Sequence, residues 1–154
     1  MDNKTTEEFY DDLEDFDTAM LVTRDGDTLR SRPMKPYVGN PDGTIRFMTS
    51  RDTQKVDEAS IDPAANVVFA GDGGEWISVS GDITLSSDPA DIEELWSDEA
   101  EAWITKEEAM VMILNPSMAE YWDYSSMKST WAMIKNAVTG KKADMTGESQ
   151  KLSL

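Results

Sequence analysis

Apolar residues are concentrated in short runs. Within most of these runs, apolar and polar residues alternate as they do in half-buried strands. Five of the runs lie within residues 18–86, and two more follow later. Turn signals rich in glycine, proline, asparagine and aspartate separate the first three runs, at residues 25–27 and 40–43. The pattern therefore predicts six or seven strands, at residues 18–24, 28–38, 44–50, 66–70, 75–86, 109–114 and 119–124.

Helical spacing is found in shorter stretches around these strands. In residues 5–16, Phe9, Leu13 and Phe16 fall at positions i, i+4 and i+7, which predicts an apolar stripe that docks on the domain. Thr5 or Thr6 is the expected N-cap, because threonine hydroxyls accept hydrogen bonds from the first free N–H groups of a helix. Further helices are predicted at residues 52–60, 88–96, 98–104 and 127–138.

Short strands joined by strong hairpin signals favour a mainly β fold with short helices, namely a six- to seven-stranded antiparallel barrel that is closed or partly closed. Gly81, inside the longest run, predicts a bulge or bend where the barrel curves. Pro33 and Pro36 remove two backbone donors, so their strand is expected at an edge, at a bulge or against a ligand. We expect one domain over residues 1–140, including the N-terminal helix, and a polar, mobile tail at residues 141–154.

The composition excludes several kinds of chemistry. The chain has no cysteine and no histidine, which rules out disulfides, thiolate nucleophiles, Ser-His-Asp catalysis and histidine-based metal sites. A general acid or base must then be a carboxylate, a lysine, a tyrosine or water, unless a cofactor carries the reaction. No apolar run approaches the roughly 20 residues that cross a bilayer, and the acidic N-terminus lacks a signal peptide. We therefore expect a cytoplasmic protein that does not bind membranes.

Charge is unevenly distributed along the chain. The net charge is −17, which disfavours nucleic acid as a partner, yet residues 30–55 carry six basic and two acidic side chains, a local charge of 6 − 2 = +4. Residues 125–154 sum to 5 − 2 = +3. The two basic segments are candidates to surround one anionic ligand, within a subunit or across a dimer. The alternative is that their lysines and arginines are scattered and solvated.

The order of the motifs resembles one known family. An apolar strand and a DG turn are followed by RSRPM, an NPDG turn, a strand ending in FMTS, and QK at the start of a helix. This series resembles the FMN-binding split barrels of the pyridoxamine 5'-phosphate oxidase-like superfamily. The later stretches WISVSGDITL, MVMIL and AEYWDYSS resemble its general stress protein subgroup. The resemblance runs over residues 7–140 and implies an antiparallel split β-barrel.

The resemblance also implies a homodimer with FMN at the subunit interface. It places the strand residues Arg32, Pro33 and Met34 along the isoalloxazine ring, and it places the corner after the third strand at the phosphate. One departure concerns the phosphate: the oxidases have an arginine–lysine pair where this chain has glutamine and lysine, so one cation is missing. Arg51, three residues upstream, is a candidate replacement. The corner residues of this chain are Met48, Thr49, Ser50, Gln54 and Lys55.

The residue types at this corner suit a phosphate group. A phosphate dianion is bound by hydroxyls, by backbone N–H groups at a helix start and by one or two cations. Thr49, Ser50 and Thr53 supply hydroxyls, and Lys55 supplies a cation. The alternative is an ordinary structural role for each residue: an N-cap at the threonines, and a solvated lysine on the helix.

Two kinds of function are compatible with these features. The first is an FMN-dependent oxidoreductase of unassigned substrate, in which the flavin performs the hydride chemistry that a chain without cysteine or histidine could not. The second is a non-enzymatic protein that binds or senses FMN, FAD or deazaflavin F420 in a stress response, haem being the least suitable cofactor without a histidine ligand. Pyridoxamine phosphate oxidase activity itself is not expected, because the basic C-terminal elements of those oxidases have no match here. In either case Met34 and Met48 are candidate ring walls, and Arg30 or Arg32 would stabilise a reduced flavin near N1.

Overall fold

The computed structural model describes residues 5–123 and 148–154. Within these ranges the chain forms seven strands and four short helices. In chain order they are α1 (Thr6–Leu13), β1 (Ala19–Asp25), β2 (Thr28–Met34), β3 (Ile45–Ser50), α2 (Gln54–Ile61), β4 (Ala64–Ala70), β5 (Glu75–Ser86), α3 (Pro89–Leu95), α4 (Asp98–Glu101), β6 (Ala109–Asp123) and β7 (Glu148–Ser153).

All strand pairs are antiparallel, and the sheet runs in the order β2-β1-β4-β5-β6-β3, with β7 also paired to β6. The strands β2 and β3 are thus the two ends of the hydrogen-bonded path. The chain that follows β2 meets β3 through one isolated bridge between Tyr37 and Arg46, but no ladder closes the barrel among the described residues. The antiparallel split barrel that the sequence predicts is therefore confirmed.

Alternation along the strands directs one face of the sheet into a single core. Leu21, Phe47, Phe69 and Val79 are all fully buried there, each on a different strand. Helix α1 covers one end of this core with Phe9 and other apolar side chains of its stripe. Its N-terminus is fixed by the predicted threonine cap, which forms a capping box.

A second, smaller cluster lies on the outer side of β6. Ile92 and Leu95 of α3 pack against Ala109 and Val111, and partly buried Met48 of β3 joins them. Asp88 caps the start of α3 by accepting a hydrogen bond from the N–H of Ala90, and Pro89 occupies the first turn, where its missing N–H is tolerated. This packing holds α3, and with it the chain that leads into α4, beside the free edge β3.

The bulge predicted at Gly81 is confirmed. The register between β5 and β6 shifts between Ser80 and Gly81, and Gly81 lies opposite Pro116. A Cβ at this glycine would lie 2.0 Å from the carbonyl oxygen of Asn115, so the two backbones approach more closely than any side chain allows. The long strand bends at this point, as the sheet of a barrel must.

Two expectations near the C-terminus are wrong. The separate strands predicted at residues 109–114 and 119–124 are one continuous strand, β6, because the intervening Asn115-Pro116-Ser117 follows the bulge instead of turning the chain. Part of the tail predicted to be mobile forms β7, whose backbone pairs with the second half of β6. Backbone pairing needs little apolar sequence, so a polar strand left no signal. The helix predicted at residues 127–138 and the rest of the tail lie outside the described residues.

No helix in the described part of the chain is long and apolar enough to cross a bilayer.

Candidate functional site

A cleft of about 560 Å³ lies where the two free edges of the sheet come together. It is bounded by the end of β2, the end of β3, the start of α2 and residues 98–104, which comprise α4 and the three residues after it and are called the α4 segment below. The lining residues are Pro33, Met34, Lys35, Tyr37, Met48, Thr49, Ser50, Thr53, Lys55, Glu99, Ala100, Trp103 and Ile104. Eight residues are predicted from the sequence to bind the cofactor, and six of them line this one cleft, although β2 and β3 are not neighbours in the sheet. The six are Pro33, Met34, Met48, Thr49, Ser50 and Lys55.

Two methionines face the middle of the cleft from opposite edges. Met34, the last residue of β2, also packs on the main core, whereas Met48 of β3 packs on the outer cluster. Pro33 stands beside Met34 and has no N–H, which is tolerated because β2 is an edge strand. The cleft thus has flat apolar walls that the fold itself holds in place.

Hydroxyl groups gather at the β3–α2 corner. The buried Thr49 places its Oγ1 3.5 Å from Oγ1 of Thr53, and Thr53 Oγ1 donates to the carbonyl of Ser50 at 2.9 Å. Thr53 is the N-cap of α2, but its side chain makes no capping hydrogen bond. The N–H of Val56 donates to the carbonyl of Thr53 at 3.0 Å, but the start of a helix in general presents N–H groups and a positive dipole end that favour an anion.

Lys55, in the same first turn of α2, is half-buried and carries an unmatched charge. Within the part of the chain that the structure describes, it makes no hydrogen bond and no ion pair. Two effects lower the pKa of Lys55 below its ordinary value: burial, which is the larger, and repulsion from Arg32. Attraction to Glu58 offsets only part of this lowering. A half-buried ammonium without a partner is an expensive group, and an anion in the cleft would stabilise it.

The other basic residues of the 30–55 segment already have partners, so the charge island is largely neutralised. Arg30 lies 3.7 Å from Asp25, and Lys35 lies 2.5 Å from Glu99. Arg51, the suggested replacement for the missing phosphate cation, donates to the backbone carbonyl of Glu107. The fourth, Arg46, is paired with three acids, Asp42, Asp91 and Glu94.

Arg32 is a predicted contact of the flavin ring, but it does not line the cleft and its guanidinium is hydrogen-bonded elsewhere. It donates to Oε2 of Glu58 at 3.0 Å and to Oγ1 of Thr23 at 2.6 Å, and Thr23 in turn donates to the same carboxylate oxygen. Gln54 likewise does not line the cleft, since its amide donates to Asp25 at 3.0 Å. These two nominated residues stand beside the cleft rather than in it.

Glu58 is a buried carboxylate that sequence inspection does not single out. The residue as a whole is 4% exposed, and its Oε1 has no hydrogen-bond partner among the described residues. Burial raises the pKa of Glu58, but the hydrogen bonds from Thr23 and Arg32 and the charge of Arg32 outweigh burial and hold the pKa below its ordinary value. The only signal in the sequence is its position, because a glutamate two residues after Val56 lies close to the buried face of α2.

The opposite end of the cleft is formed by the α4 segment, which sequence inspection also leaves without a role. The ion pair between Lys35 and Glu99 crosses the mouth of the cleft. Tyr37, Ile104 and Trp103 also line the cleft, and Trp103 is 83% exposed. A tryptophan in a strongly acidic surface segment is the signal that could have identified this end.

Comparison with protein families identifies the class. The family model described as pyridoxamine 5'-phosphate oxidase like matches residues 4–144, so the chain belongs to that family. Among curated proteins, none matches this chain.

Solved structures with the same fold include general stress proteins. A protein described as general stress protein 26 from Jannaschia sp. CCS1 superposes with a TM-score of 0.71 at 27% identity, over 97% of this chain and 98% of that one. The general stress FMN/FAD binding protein from Xanthomonas citri gives a TM-score of 0.66 at 25% identity, over 76% of this chain and 87% of that one. A protein from Clostridium acetobutylicum related to general stress protein 26 superposes with a TM-score of 0.72, over 100% of this chain and 97% of that one. Its sequence identity of 14% means that this likeness supports the fold alone.

Proposed function

We propose that this protein binds FMN in the cleft between β2 and β3 and acts as an FMN-dependent oxidoreductase. The observation that carries the proposal is Lys55, a half-buried cation that has no partner in residues 5–123 and 148–154, placed among three hydroxyl-bearing residues at the start of a helix. This set of donors is what a phosphate monoester requires. The proposal agrees with the family and with the flavin named for the Xanthomonas protein.

The cleft also fits the rest of a flavin. Its volume of about 560 Å³ lies in the range of roughly 300–1,000 Å³ that is usual for small-molecule sites. Met34 and Met48 offer polarisable apolar surfaces to the two faces or edges of a planar ring. The missing second phosphate cation is not replaced by Arg51, and the hydroxyls and helix N–H groups would have to make up for it.

A bound flavin would supply the hydride and electron transfer, and the protein residues would bind and orient it. Lys55, Thr49 and Ser50 would hold the phosphate at the β3–α2 corner. The methionine walls would exclude water from the ring. The ion pair with Glu58 keeps Arg32 out of the cleft. This arginine would therefore act on the ring through its electrostatic field and by fixing the position of β2.

We further propose that the protein is a homodimer. Met20, Trp76 and Met118 are exposed, and the strand registers place all three on the outer face of the sheet. A row of large apolar side chains on one face is typical of an interface between subunits. The mass in solution, measured by light scattering, tests this proposal.

A visible absorption spectrum of the purified protein is the first test of the flavin proposal. A flavin band, or quenching of FMN fluorescence on titration with the apoprotein, would support binding. Reduction of the bound flavin by NADH or NADPH, followed by turnover with an acceptor, would support an enzyme over a protein that only stores or senses the cofactor. A colourless protein that leaves FMN fluorescence unchanged would refute the proposal.

Replacing Lys55 by methionine together with Thr49 by valine is expected to weaken FMN binding by at least tenfold. The reason is that hydrogen bonds to a charged group contribute about 1.5–3 kcal/mol each, and the variant removes two phosphate contacts while it preserves side-chain volume. Fluorescence titration with FMN measures the change. The matched control is Lys151→Met, an exposed lysine on β7 that lines no part of the cleft. An affinity within about twofold of the parent protein would show that the phosphate site is wrong.

The pH dependence of FMN binding should reflect Lys55. Because burial and Arg32 lower its pKa, the apoprotein releases this proton at a lower pH than an ordinary lysine does. A bound phosphate favours the charged form, so FMN affinity should fall as the pH rises through the lowered pKa. The stability of the apoprotein should show the opposite trend from this group, since neutral Lys55 relieves the cost of burial. Titrations across the alkaline range, with Lys55→Met as the variant that lacks the decline, would check both signs.

A further inference from the structure

The α4 end of the cleft differs chemically from its phosphate end. It presents Tyr37, Trp103 and Ile104 instead of hydroxyl groups. Trp103 is held by its backbone, since its N–H and that of Ile104 both donate to the carbonyl of Ala100 at 3.0 Å. The residue as a whole is nevertheless 83% exposed. A fixed backbone that presents an uncovered aromatic ring to a cleft is a preformed surface for a planar ligand.

The neighbouring Trp96 shows that this exposure is not a property of the whole segment. Trp96 is partly buried against the outer apolar cluster, and the ammonium of Lys106 lies 5.3 Å from the centre of its ring. The fold thus uses one tryptophan of the segment for packing and leaves the other on the cleft. No described residue covers the ring of Trp103.

The charges around Trp103 define which ligands can approach. Residues 98–108 contain five acidic side chains and one lysine, a local charge of 1 − 5 = −4. Among the residues that the structure describes, the cation that lines this end is Lys35, which is paired with Glu99 at 2.5 Å. An anionic ligand would therefore find no unmatched cation among the described residues here, and it would meet the repulsion of the acidic segment.

We propose that the α4 end of the cleft is a second binding site, in which a planar organic molecule that is neutral or cationic stacks on Trp103. The proposal rests on the proposed function, because a flavin at the phosphate end would leave this end for the second ligand of the reaction. Anionic analogues of the same ring are excluded by charge. The second ligand of the cleft thus belongs to the class of planar molecules that carry no negative charge.

Three planar probes that differ mainly in charge test the proposal: 1,4-naphthoquinone, its 2-sulfonate, and the cation 1-methylquinolinium. Calorimetric titration should be done on both the FMN-loaded protein and the apoprotein. The neutral and cationic probes should bind at least about tenfold more tightly than the sulfonate at low ionic strength, and added salt should narrow the gap by screening. Equal affinity for the sulfonate in the FMN-loaded protein would overturn the proposal, whereas in the apoprotein Lys55 at the phosphate end is available to the sulfonate.

Two variants test the residues. Trp103→Ala should weaken naphthoquinone binding by about tenfold, as expected for loss of an aromatic stacking partner, and should leave FMN affinity within about twofold. The control is Ile61→Ala, which removes an apolar side chain of similar exposure, 87%, outside the cleft. Glu99→Gln should free Lys35 and raise sulfonate affinity by about fivefold or more without changing that of the neutral quinone.

The outcomes separate this proposal from the flavin proposal. If FMN does not bind but naphthoquinone binding to the apoprotein depends on Trp103, the flavin proposal is wrong and the second site stands. If FMN binds and Trp103→Ala binds naphthoquinone as the parent protein does, the second site is wrong. If Trp103→Ala instead dissociates the dimer and leaves quinone binding unchanged, a second copy of the chain covers this residue, which also overturns the proposal.

Discussion

Replacing Arg32 by alanine is expected to lower the free energy of unfolding by about 3–5 kcal/mol at neutral pH, because it leaves a buried carboxylate without its charge partner. The side chain of Glu58 is 3% exposed, and Arg32 Nη2 lies 3.0 Å from its Oε2. One oxygen of this carboxylate already lacks a partner, so Thr23 alone cannot compensate. Chemical denaturation of the apoprotein measures the loss independently of any flavin.

Two comparisons make this expectation specific to the buried pair. Arg24→Ala on β1 removes an exposed arginine that lies 3.9 Å from Asp62, and it should cost less than about 1 kcal/mol. The double variant Arg32→Met/Glu58→Leu should recover most of the loss, since an apolar pair of similar volume needs no counter-charge. Equal destabilisation by Arg24→Ala and Arg32→Ala would contradict the role of the pair.

The effect should also depend on pH in a defined direction. In the parent protein the pKa of Glu58 is lowered, so its contribution to stability is present above the pKa of the unfolded chain and is lost as the pH falls through the folded pKa. Without Arg32 the burial of the carboxyl is no longer outweighed, and its protonated form is the tolerated one. The difference between Arg32→Ala and the parent should therefore shrink as the solution is made acidic.

Replacing Gly81 by alanine is expected to destabilise the protein by about 3 kcal/mol or more, at the upper end of the cost of overpacking. The added Cβ would lie 2.0 Å from the carbonyl oxygen of Asn115, 2.8 Å from its carbonyl carbon and 3.1 Å from Cα of Pro116. All three atoms belong to the backbone of β6, so no side chain can move to make room. The two longest strands of the sheet would have to separate at their bulge.

Two other glycines provide controls for this prediction. A Cβ at Gly73 meets nothing within 4 Å, so Gly73→Ala should change stability by no more than about 0.5 kcal/mol. Gly26 is also open, but its φ of +59° favours glycine, and Gly26→Ala should cost about 1 kcal/mol. Thermal denaturation should thus rank the variants in the order Gly81, Gly26, Gly73. A Gly81→Ala variant as stable as Gly73→Ala would show that β6 yields at the bulge.

Local features of the fold could be predicted because neighbouring residues determine them. Alternation identified the strands β1, β3 and β5, and the turn at residues 25–27 identified the first hairpin. The N-cap of α1 and the bulge in β5 could likewise be predicted, because each depends on the type of one residue, a threonine and a glycine. The strand β7 was missed because its polar sequence resembles a solvated tail and only its pairing with β6 makes it a strand.

The candidate site could be predicted in part, for a related reason. The cluster of hydroxyls and Lys55 lies within seven residues of chain, so one corner brings it together. The role of Arg32 could not be predicted, because its partner Glu58 lies 26 residues away and the match depends on how α2 packs against β1 and β5. The α4 side of the cleft depends on a contact between residues 35 and 99, which no local pattern encodes.

The sequence by itself determined that this chain is an antiparallel β protein of one family, without cysteine or histidine chemistry, and with basic residues concentrated between positions 30 and 55. These properties depend on composition, alternation and turn residues, which act over a few positions. The tertiary structure alone decided that, among the described residues, Lys55 is the member of that basic segment without an acid or carbonyl partner. Ion pairing is a property of distance in space, and the folding of the sheet brought the other five basic side chains to an acid or a carbonyl.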